Sequence, residues 1–155
     1  MRIVPYDKKY KDDFINMNKA WIEKMFKLEE ADFIEFNSID NAINEGANIF
    51  FTLDDNDNVM ACSMVAPRDN GEWEIFKFAA KNLYTGTGAG NLCFKACINY
   101  AKEMNAKKII IVSNTKCEAA IHLYKKNGFI EVEVDRNKFP FERGNIAFEL
   151  ELNNN

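Results

Sequence analysis

The stretch Phe78-Ala79-Ala80-Lys81-Asn82-Leu83-Tyr84-Thr85-Gly86-Thr87-Gly88-Ala89-Gly90-Asn91 decides how the rest of the chain is interpreted. A predicted apolar strand, Trp73 to Ala80, runs into a loop with glycine at positions 86, 88 and 90, and a helix is predicted from Leu92 to Met104. Glycines let the backbone approach an anion closely, and the amides at a helix start point towards it. The order strand, glycine loop, helix therefore favours a phosphate-bearing ligand, although a glycine-rich turn without a ligand has the same composition.

The loop does not match the two most common phosphate-binding motifs. Asn91 and Cys93 stand where a dinucleotide-binding G-x-G-x-x-G fingerprint would need its third glycine. The Gly-Lys-Ser/Thr ending of a P-loop is also absent. These two classes of nucleotide site are therefore excluded.

Length and composition predict one packed domain over residues 1–152, followed by a short disordered tail, residues 153–155. The chain has no signal-peptide pattern and no apolar run long enough to span a membrane, so we expect a cytoplasmic protein without a membrane partner. Four cysteines without a C-x-x-C pair and a single histidine are typical of reduced core residues and argue against a metal site.

Charge is unevenly distributed along the chain. The net charge of −4 weighs against a nucleic-acid partner. From Glu29 to Asp57 there are nine acidic residues and no lysine or arginine, whereas from Lys81 to Gly128 eight lysines face two acids. Two solvated faces would give this pattern, and so would a polyanionic ligand on one half and a cationic ligand on the other.

Periodicity predicts an α/β (α+β) fold with the element order β-α-α-β-β-β-α-β-α-β-β. This corresponds to a mixed, mostly antiparallel twisted sheet of about seven strands with four helices on both faces. The first two helices are predicted at Lys8–Lys27 and Glu29–Glu45, and a capping box from Thr115 to Glu118 is predicted to start the last one. The apolar run Ile109–Val112 should lie parallel to a neighbouring strand. The alternating segment Ile146–Leu152 is interpreted as an apolar sheet edge that could support a homodimer.

Nearly the whole chain resembles the GNAT superfamily of N-acetyltransferases, and three segments carry the resemblance. Glu74–Ala80 is similar to the family's fourth strand, and Tyr84–Gly90 is similar to its pyrophosphate loop, (Arg/Gln)-x-x-Gly-x-(Gly/Ala). Ala120–Phe129 is similar to the A-x-x-L-Y-x-K-x-G-F signature of the family. Two positions depart from the pattern: Thr85 stands where Arg or Gln is usual, and Cys117 stands where many relatives have Asn.

The resemblance implies acetyl-CoA as the donor, held in a V-shaped gap between the fourth and fifth strands. The pantetheine arm would pair with the backbone of the fourth strand, and the pyrophosphate would lie on the loop amides. The cofactor-binding residues that this implies are Phe78, Ala79, Ala80, Thr85, Gly86, Thr87, Gly88, Ala89, Gly90, Asn91, Asn114, Cys117 and Lys126.

Two residues are the candidates for acid–base catalysis. Tyr124 resembles the family's general acid for the leaving thiolate, and the alternative is a core tyrosine with no such role. Glu74 is the candidate base, because strand parity places it with Phe76, Phe78 and Ala80 on a largely apolar face, where burial would raise its pKa. The alternative for Glu74 is a solvent-facing glutamate at the end of its strand. On the same parity, Lys77 lies on the opposite face.

The acceptor site of such a fold is built by the two N-terminal helices and the late strands, and here that region is acidic. Its interleaved aromatic residues are Phe26, Phe33, Phe36, Phe139 and Phe141. There we expect substrate contacts from Glu29, Glu30 and Phe33, because acids interleaved with aromatic rings suit a cationic amine with an apolar body. The sequence therefore predicts an acyltransferase that moves an acetyl group from acetyl-CoA to a primary amine, on a small molecule or a peptide, by direct attack in a ternary complex. The alternative is a non-catalytic acyl-CoA-binding or regulatory module on the same fold.

Overall fold

Seven strands form one mixed sheet in the computed structural model, which describes residues 1–152. The strands are β1 Arg2–Val4, β2 Asn48–Leu53, β3 Val59–Pro67, β4 Glu72–Ala80, β5 Lys108–Ser113, β6 Ile130–Val132 and β7 Ile146–Glu151. Their order across the sheet is β1-β2-β3-β4-β5-β7-β6. The β4–β5 pair is parallel and the other five pairs within the described chain are antiparallel. The predicted sheet and its parallel strand are confirmed, whereas the predicted tail, residues 153–155, lies outside the described residues.

Five α-helices pack on the two faces of this sheet. They are α1 Lys11–Met25, α2 Glu30–Asn37, α3 Ile39–Asn44, α4 Ala89–Glu103 and α5 Glu118–Lys126. The first three cover one face, where residues such as Phe14 and Phe36 pack against Phe51. The last two cover the other face, where Phe94 and Tyr124 join one hydrophobic core.

The predicted second helix, Glu29–Glu45, is divided into α2 and α3. The break lies at Ser38, whose backbone leaves the helical region (φ −113°, ψ 11°) and whose hydroxyl donates to the Ile34 carbonyl at 2.7 Å. A serine side chain that bonds locally to the backbone competes with the helical hydrogen bonds, which explains the break.

Helix starts differ from the sequence prediction in three places, the first being α1, which begins at Lys11 and not at Lys8. The capping box expected at Thr115 does not form, because the Thr115 amide donates to the side chain of Asn145 at 2.9 Å and α5 begins only at Glu118. A capping box does form at the start of α2, between Glu29 and Asp32. Helix α4 begins at Ala89, inside the glycine loop, so the helix N-terminus lies closer to the loop than predicted.

Strand β7, which contains most of the segment interpreted as a sheet edge, lies inside the sheet. It pairs with β5 on one side and with β6 on the other. The edge on this side is the three-residue strand β6. The apolar alternation of Ile146–Leu152 therefore reflects pairing within this chain, and it gives no support to a homodimer.

A β-bulge in β4 reverses the predicted parity of that strand. Phe76 pairs with Met64 and Ala79 pairs with Cys62, so β4 carries one more residue than β3 across this interval. The extra residue is accommodated at Lys77, whose φ of 53° is a left-handed conformation. Phe78 consequently packs on the α4 side of the sheet, whereas Lys77 joins Glu74 on the α2 side. The prediction that Phe78 shares a face with Glu74 and that Lys77 lies opposite was wrong for this reason.

No helix within residues 1–152 has the length and apolar character needed to cross a lipid bilayer.

Candidate active site

Strands β4 and β5 separate partway along their length and leave a gap. They are paired at Glu72–Lys108, Trp73–Ile109 and Glu74–Ile110, and the pairing then stops. A cavity of about 620 Å³ opens there, which is a usual size for a small-molecule site. From Ile75 to Ala80 the β5-facing edge of β4 has no strand partner, so its backbone groups can pair with an extended ligand.

The glycine loop forms a cradle for an anion at one end of this cavity. Gly86 and Gly88 have φ of 83° and 85°, and a Cβ atom at either position would meet no other atom within 4 Å, so open space lies in front of the loop. Within residues 1–152 the amides of Gly86, Gly88, Gly90 and Asn91 make no hydrogen bond. Free amides at the N-terminus of α4 fit a phosphate group.

Gly90 serves a different purpose, because it lets α4 approach β4. A Cβ atom at this position would lie 2.9 Å from the Cζ atom of Phe78, closer than real Cβ atoms come to other atoms. The Phe78 ring in turn stacks edge-on against Phe94 of α4, with 6.3 Å between ring centroids. Close packing here keeps the start of α4 beside the unpaired edge of β4.

Most of the predicted cofactor-binding residues are brought together along this cavity. Those that line it are Phe78, Ala79, Ala80, Thr85, Gly86, Gly88, Ala89, Gly90, Asn114 and Cys117. Thr87, Asn91 and Lys126 lie outside its lining, although the Asn91 amide belongs to the cradle. The hydroxyls of Thr85 and Thr87 donate to the carbonyls of Asn82 and Tyr84, at 2.8 and 2.6 Å. These two side chains therefore hold the loop in shape, and the loop offers its backbone to a ligand.

Tyr124 of α5 belongs to the core and also lines the cavity, so its position is compatible with either predicted role, core residue or general acid. Its ring is buried against Phe94 and Phe148, with centroids 5.4 and 5.6 Å away, and the residue also lines the cavity. Burial raises the pKa of the Tyr124 hydroxyl well above its usual range. The hydroxyl is therefore protonated at neutral pH and can donate a proton into the cavity.

Glu74 of β4 lies in the same cavity, and its side chain is only 13% exposed. Burial raises its pKa, while the guanidinium of Arg68, whose Nε donates to Glu74 Oε1 at 2.9 Å, opposes that rise. Arg68 is itself held over the ring of Phe76 at 5.0 Å. A carboxylate with a raised pKa in a cavity, held by one fixed partner, is suited to accept a proton.

A buried ionic cluster lies on the α2 side of the cavity. Asp32, fully buried, accepts hydrogen bonds from Lys77 Nζ at 2.7 Å, from Arg143 Nη1 at 2.8 Å and from the Glu29 amide at 2.9 Å. Burial alone would raise the pKa of Asp32, but the hydrogen bonds from Arg143 and Lys77 outweigh it and lower the pKa to about 2. Asp32 thereby ties α2, the β4 bulge and the segment before β7 to one another.

Glu29, Glu30 and Phe33, the predicted substrate residues, do not line the cavity. Glu29 caps α2 and binds Arg143 Nη1 at 3.1 Å, while Glu30 and Phe33 lie on the exposed side of α2. This part of the cavity, its acceptor side, is lined by Trp21, Phe26, Glu35, Phe76, Lys77, Phe139, Phe141 and Arg143. Phe26, Phe139 and Phe141 are among the aromatic residues that the sequence predicted for this region. The sequence analysis did not single out Arg143, although a cation close to two phenylalanines in a loop is a usable signal.

Replacement of Asp32 by Asn should lower the free energy of unfolding by about 3–5 kcal/mol, because Lys77 and Arg143 would remain buried with one partner fewer. Denaturant unfolding at pH 7 measures this, with Glu30→Gln on the exposed side of α2 as the matched control. Since folding lowers the pKa of Asp32, its contribution is complete above the unfolded pKa of 3.8 and is lost as pH falls through about 2. The difference between wild type and Asp32→Asn should shrink over that range, and a loss below about 1 kcal/mol at pH 7 would contradict the assignment.

Comparison with known proteins yields a family match and a set of similar structures. The acetyltransferase (GNAT) family model matches residues 10–129, and a search of the curated proteins finds no significant match. A GNAT-family acetyltransferase from Staphylococcus aureus Mu50 has a TM-score of 0.87 at 20% identity, over 98% of this chain and 99% of that chain. A ribosomal-protein-alanine N-acetyltransferase from Brucella melitensis has a TM-score of 0.79 at 15% identity, over 98% and 100%. An acetyltransferase from Salmonella typhimurium, solved with its cofactor acetyl-CoA, has a TM-score of 0.75 at 15% identity, over 99% and 94%.

Structural likeness at such low identity shows a shared fold, and the family match covers well over half of the chain. Acetyl transfer from acetyl-CoA is general for that family, so the predicted acyltransferase class and the predicted cofactor are confirmed at the level of the family. The resemblance stated from the sequence motifs is confirmed as well. The chain belongs to the GNAT family of acetyltransferases.

Proposed function

We propose that this chain transfers an acetyl group from acetyl-CoA directly to a primary amine within a ternary complex. One observation carries the proposal: a single cavity connects the anion cradle at α4, the unpaired edge of β4, and the side chains of Tyr124 and Glu74. A non-catalytic CoA-binding module would need the first two features, and it would have no use for a buried acid and a buried carboxylate beside them.

The residues present fit the cofactor, which supplies an activated acetyl group when it is bound. The amides of the glycine loop would hold its phosphates, and the β5-facing backbone edge of Phe78–Ala80 would pair with its extended arm. Lys81 and Lys116 line the cavity and add positive charge for the phosphates.

Proton transfer is divided between two residues. Glu74 removes a proton from the acceptor ammonium, directly or through a water molecule, so that the nitrogen lone pair becomes available for attack. Tyr124 donates its phenolic proton to the departing sulfur as the carbon–nitrogen bond replaces the carbon–sulfur bond. The acceptor nitrogen gives up a second proton as the carbon–nitrogen bond forms, and this proton returns through water to the Tyr124 phenolate. The proton held by Glu74 is the one net proton released to solvent.

Binding of acetyl-CoA should raise the free energy of unfolding by about 2.7 kcal/mol at 100 times its Kd. Thermal unfolding in the presence of acetyl-CoA measures this, and adenosine diphosphate serves as the control ligand. Gly88→Glu should abolish the shift, because it places a carboxylate in the anion cradle. Gly88→Asn is the matched control, since Asn tolerates the left-handed backbone that Gly88 adopts and adds no charge. Absence of any shift at millimolar acetyl-CoA would overturn the proposed function.

A further inference from the structure

The acceptor side of the cavity is walled by aromatic rings from three separate parts of the chain. Trp21 and Phe26 come from α1 and its end, Phe76 comes from β4, and Phe139 and Phe141 come from the segment between β6 and β7. Trp21 and Phe26 meet edge to face with 6.4 Å between centroids. Rings contributed by separate elements give this side of the cavity a largely aromatic lining, which suits an aromatic body on the ligand.

The position of the Phe141 ring is determined by two cations. Lys77 Nζ and Arg143 Cζ each lie 4.5 Å from the ring centroid. Both cations are anchored on the buried carboxylate of Asp32. The aromatic wall is therefore held in place by the ionic cluster beneath it, so a ligand meets a preformed surface.

Lys77 and Arg143, the two cations beside the Phe141 ring, are already paired with carboxylates of this chain. Lys77 pairs with Asp32 at 2.7 Å and with Glu35 at 2.8 Å, and its side chain is only 4% exposed. Arg143 pairs with Asp32 and with Glu29, and its side chain is 12% exposed. A carboxylate on the acceptor would have to displace one of these buried partners and would meet like charges at Glu35 and Glu74.

Among the ion-paired groups on this side, carboxylates outnumber cations by one. Lys116, whose Nζ lies 5.7 Å from the Phe26 ring, is assigned above to the cofactor phosphates and is not counted here. The carboxylates are Glu29, Asp32, Glu35 and Glu74, and the cations paired with them are Arg68, Lys77 and Arg143. Glu35 lines the cavity with 27% of its side chain exposed, and its Oε1 makes no hydrogen bond within the described chain, although Lys77 Nζ lies 2.8 Å away. The cluster can therefore accept one ammonium group and has no counter-ion for a second.

We propose that the acceptor is a primary monoamine on a flat apolar body, an arylalkylamine, with no carboxylate beside the amine. This inference specifies the substrate class of the acetyl transfer proposed above and rests on that proposed function. The aromatic walls receive the body of the acceptor, and Glu35 attracts its ammonium. Lys77 and Arg143, whose charges are already paired with buried carboxylates, offer no site for the carboxylate of an amino acid.

Three matched acceptors test the inference by steady-state acetylation: 2-phenylethylamine, phenylalanine amide and phenylalanine. Phenylalanine differs from its amide by the carboxylate, so kcat/KM should fall by about 100-fold or more from the amide to the free acid. 1,4-Diaminobutane, which has two charges and no ring, should be at least about 100-fold poorer than 2-phenylethylamine. A tenfold preference for phenylalanine, for the diamine, or for a peptide N-terminus over 2-phenylethylamine overturns the inference.

Single substitutions test which side chains contact the amine. Glu35→Gln and Phe139→Ala should each raise KM for 2-phenylethylamine about 10-fold or more and leave KM for acetyl-CoA unchanged. Glu30→Gln and Phe33→Ala, the exposed counterparts on α2, should change neither value. Equal effects of Glu35→Gln and Glu30→Gln would overturn the role of Glu35.

A thermal shift of the protein with 2-phenylethylamine and CoA supplies a readout that does not depend on turnover. If acetyl-CoA stabilises the protein and a different amine is acetylated, the substrate class is overturned and the acetyltransferase proposal stands. If acetyl-CoA gives no shift and no amine is acetylated, both proposals fail. Stabilisation by 2-phenylethylamine that Glu35→Gln removes supports the substrate class independently.

Discussion

Tyr124→Phe should lower kcat by about 10²–10⁴-fold, the usual contribution of a positioned general acid. The thiolate that leaves in acetyl transfer would lose its proton donor, whereas the phenyl ring would keep its contacts with Phe94 and Phe148. KM for acetyl-CoA should therefore change little, and the free energy of unfolding should change by no more than about 1 kcal/mol. Initial rates with a saturating amine and denaturant unfolding of the same preparations measure these quantities.

The chain contains a matched tyrosine for this experiment. The Tyr100 hydroxyl is part-buried and donates to the Gly46 carbonyl at 2.9 Å, and this residue does not line the cavity. Tyr100→Phe also removes one hydroxyl from the packed part of the protein, and it should leave kcat unchanged. If Tyr124→Phe retains more than about a tenth of the wild-type kcat, Tyr124 is a core residue without a catalytic role.

Glu74→Gln should lower kcat/KM for the amine by about 10²–10⁴-fold near neutral pH, because the amide cannot take the proton from the ammonium. Since burial raises the pKa of Glu74, the wild-type rate should fall as pH drops through that raised pKa and the carboxylate becomes protonated. The loss caused by the variant should shrink at high pH, where more of the amine is already neutral. A pH profile of kcat/KM for both proteins measures these effects.

Two further variants separate catalysis by Glu74 from a structural role. Glu72 lies two residues before Glu74 on β4, outside the cavity, and faces Lys108 and Lys138. Glu72→Gln should therefore leave the pH profile unchanged. Arg68→Met removes the cation that lowers the pKa of Glu74, so the acid limb of the profile should move to higher pH. This movement should be absent when Glu74 is already Gln. A Glu74→Gln enzyme as active as Glu72→Gln would exclude Glu74 as the base.

The sequence by itself determined the features that depend on local patterns. The glycine loop, the parallel strand containing Ile109–Val112 and the helix that carries Tyr124 follow from spacings within a few residues, and the structure confirms their existence and order. Helix bounds do not follow from periodicity alone, because the hydroxyl of Ser38 and the side chain of Asn145 make hydrogen bonds that periodicity does not reveal. The anion cradle was predictable because three glycines and a helix start lie side by side in the sequence.

Only the tertiary structure decided which residues meet on the acceptor side. Lys77 contacts Asp32 across 45 positions of sequence, and Arg143 contacts Asp32 across 111. The bulge that turns Lys77 towards α2 depends on a register against β3, and strand parity alone predicts the opposite face. The apolar alternation of β7 likewise predicts a sheet edge, and only its pairing with β5 and β6 shows that the strand lies inside the sheet. Local spacing specifies the glycine loop and the helix start beside it, whereas charge compensation between distant segments specifies the ionic cluster at the cavity. The physical reason is that a buried carboxylate such as Asp32 is stable only where the fold brings cations to it.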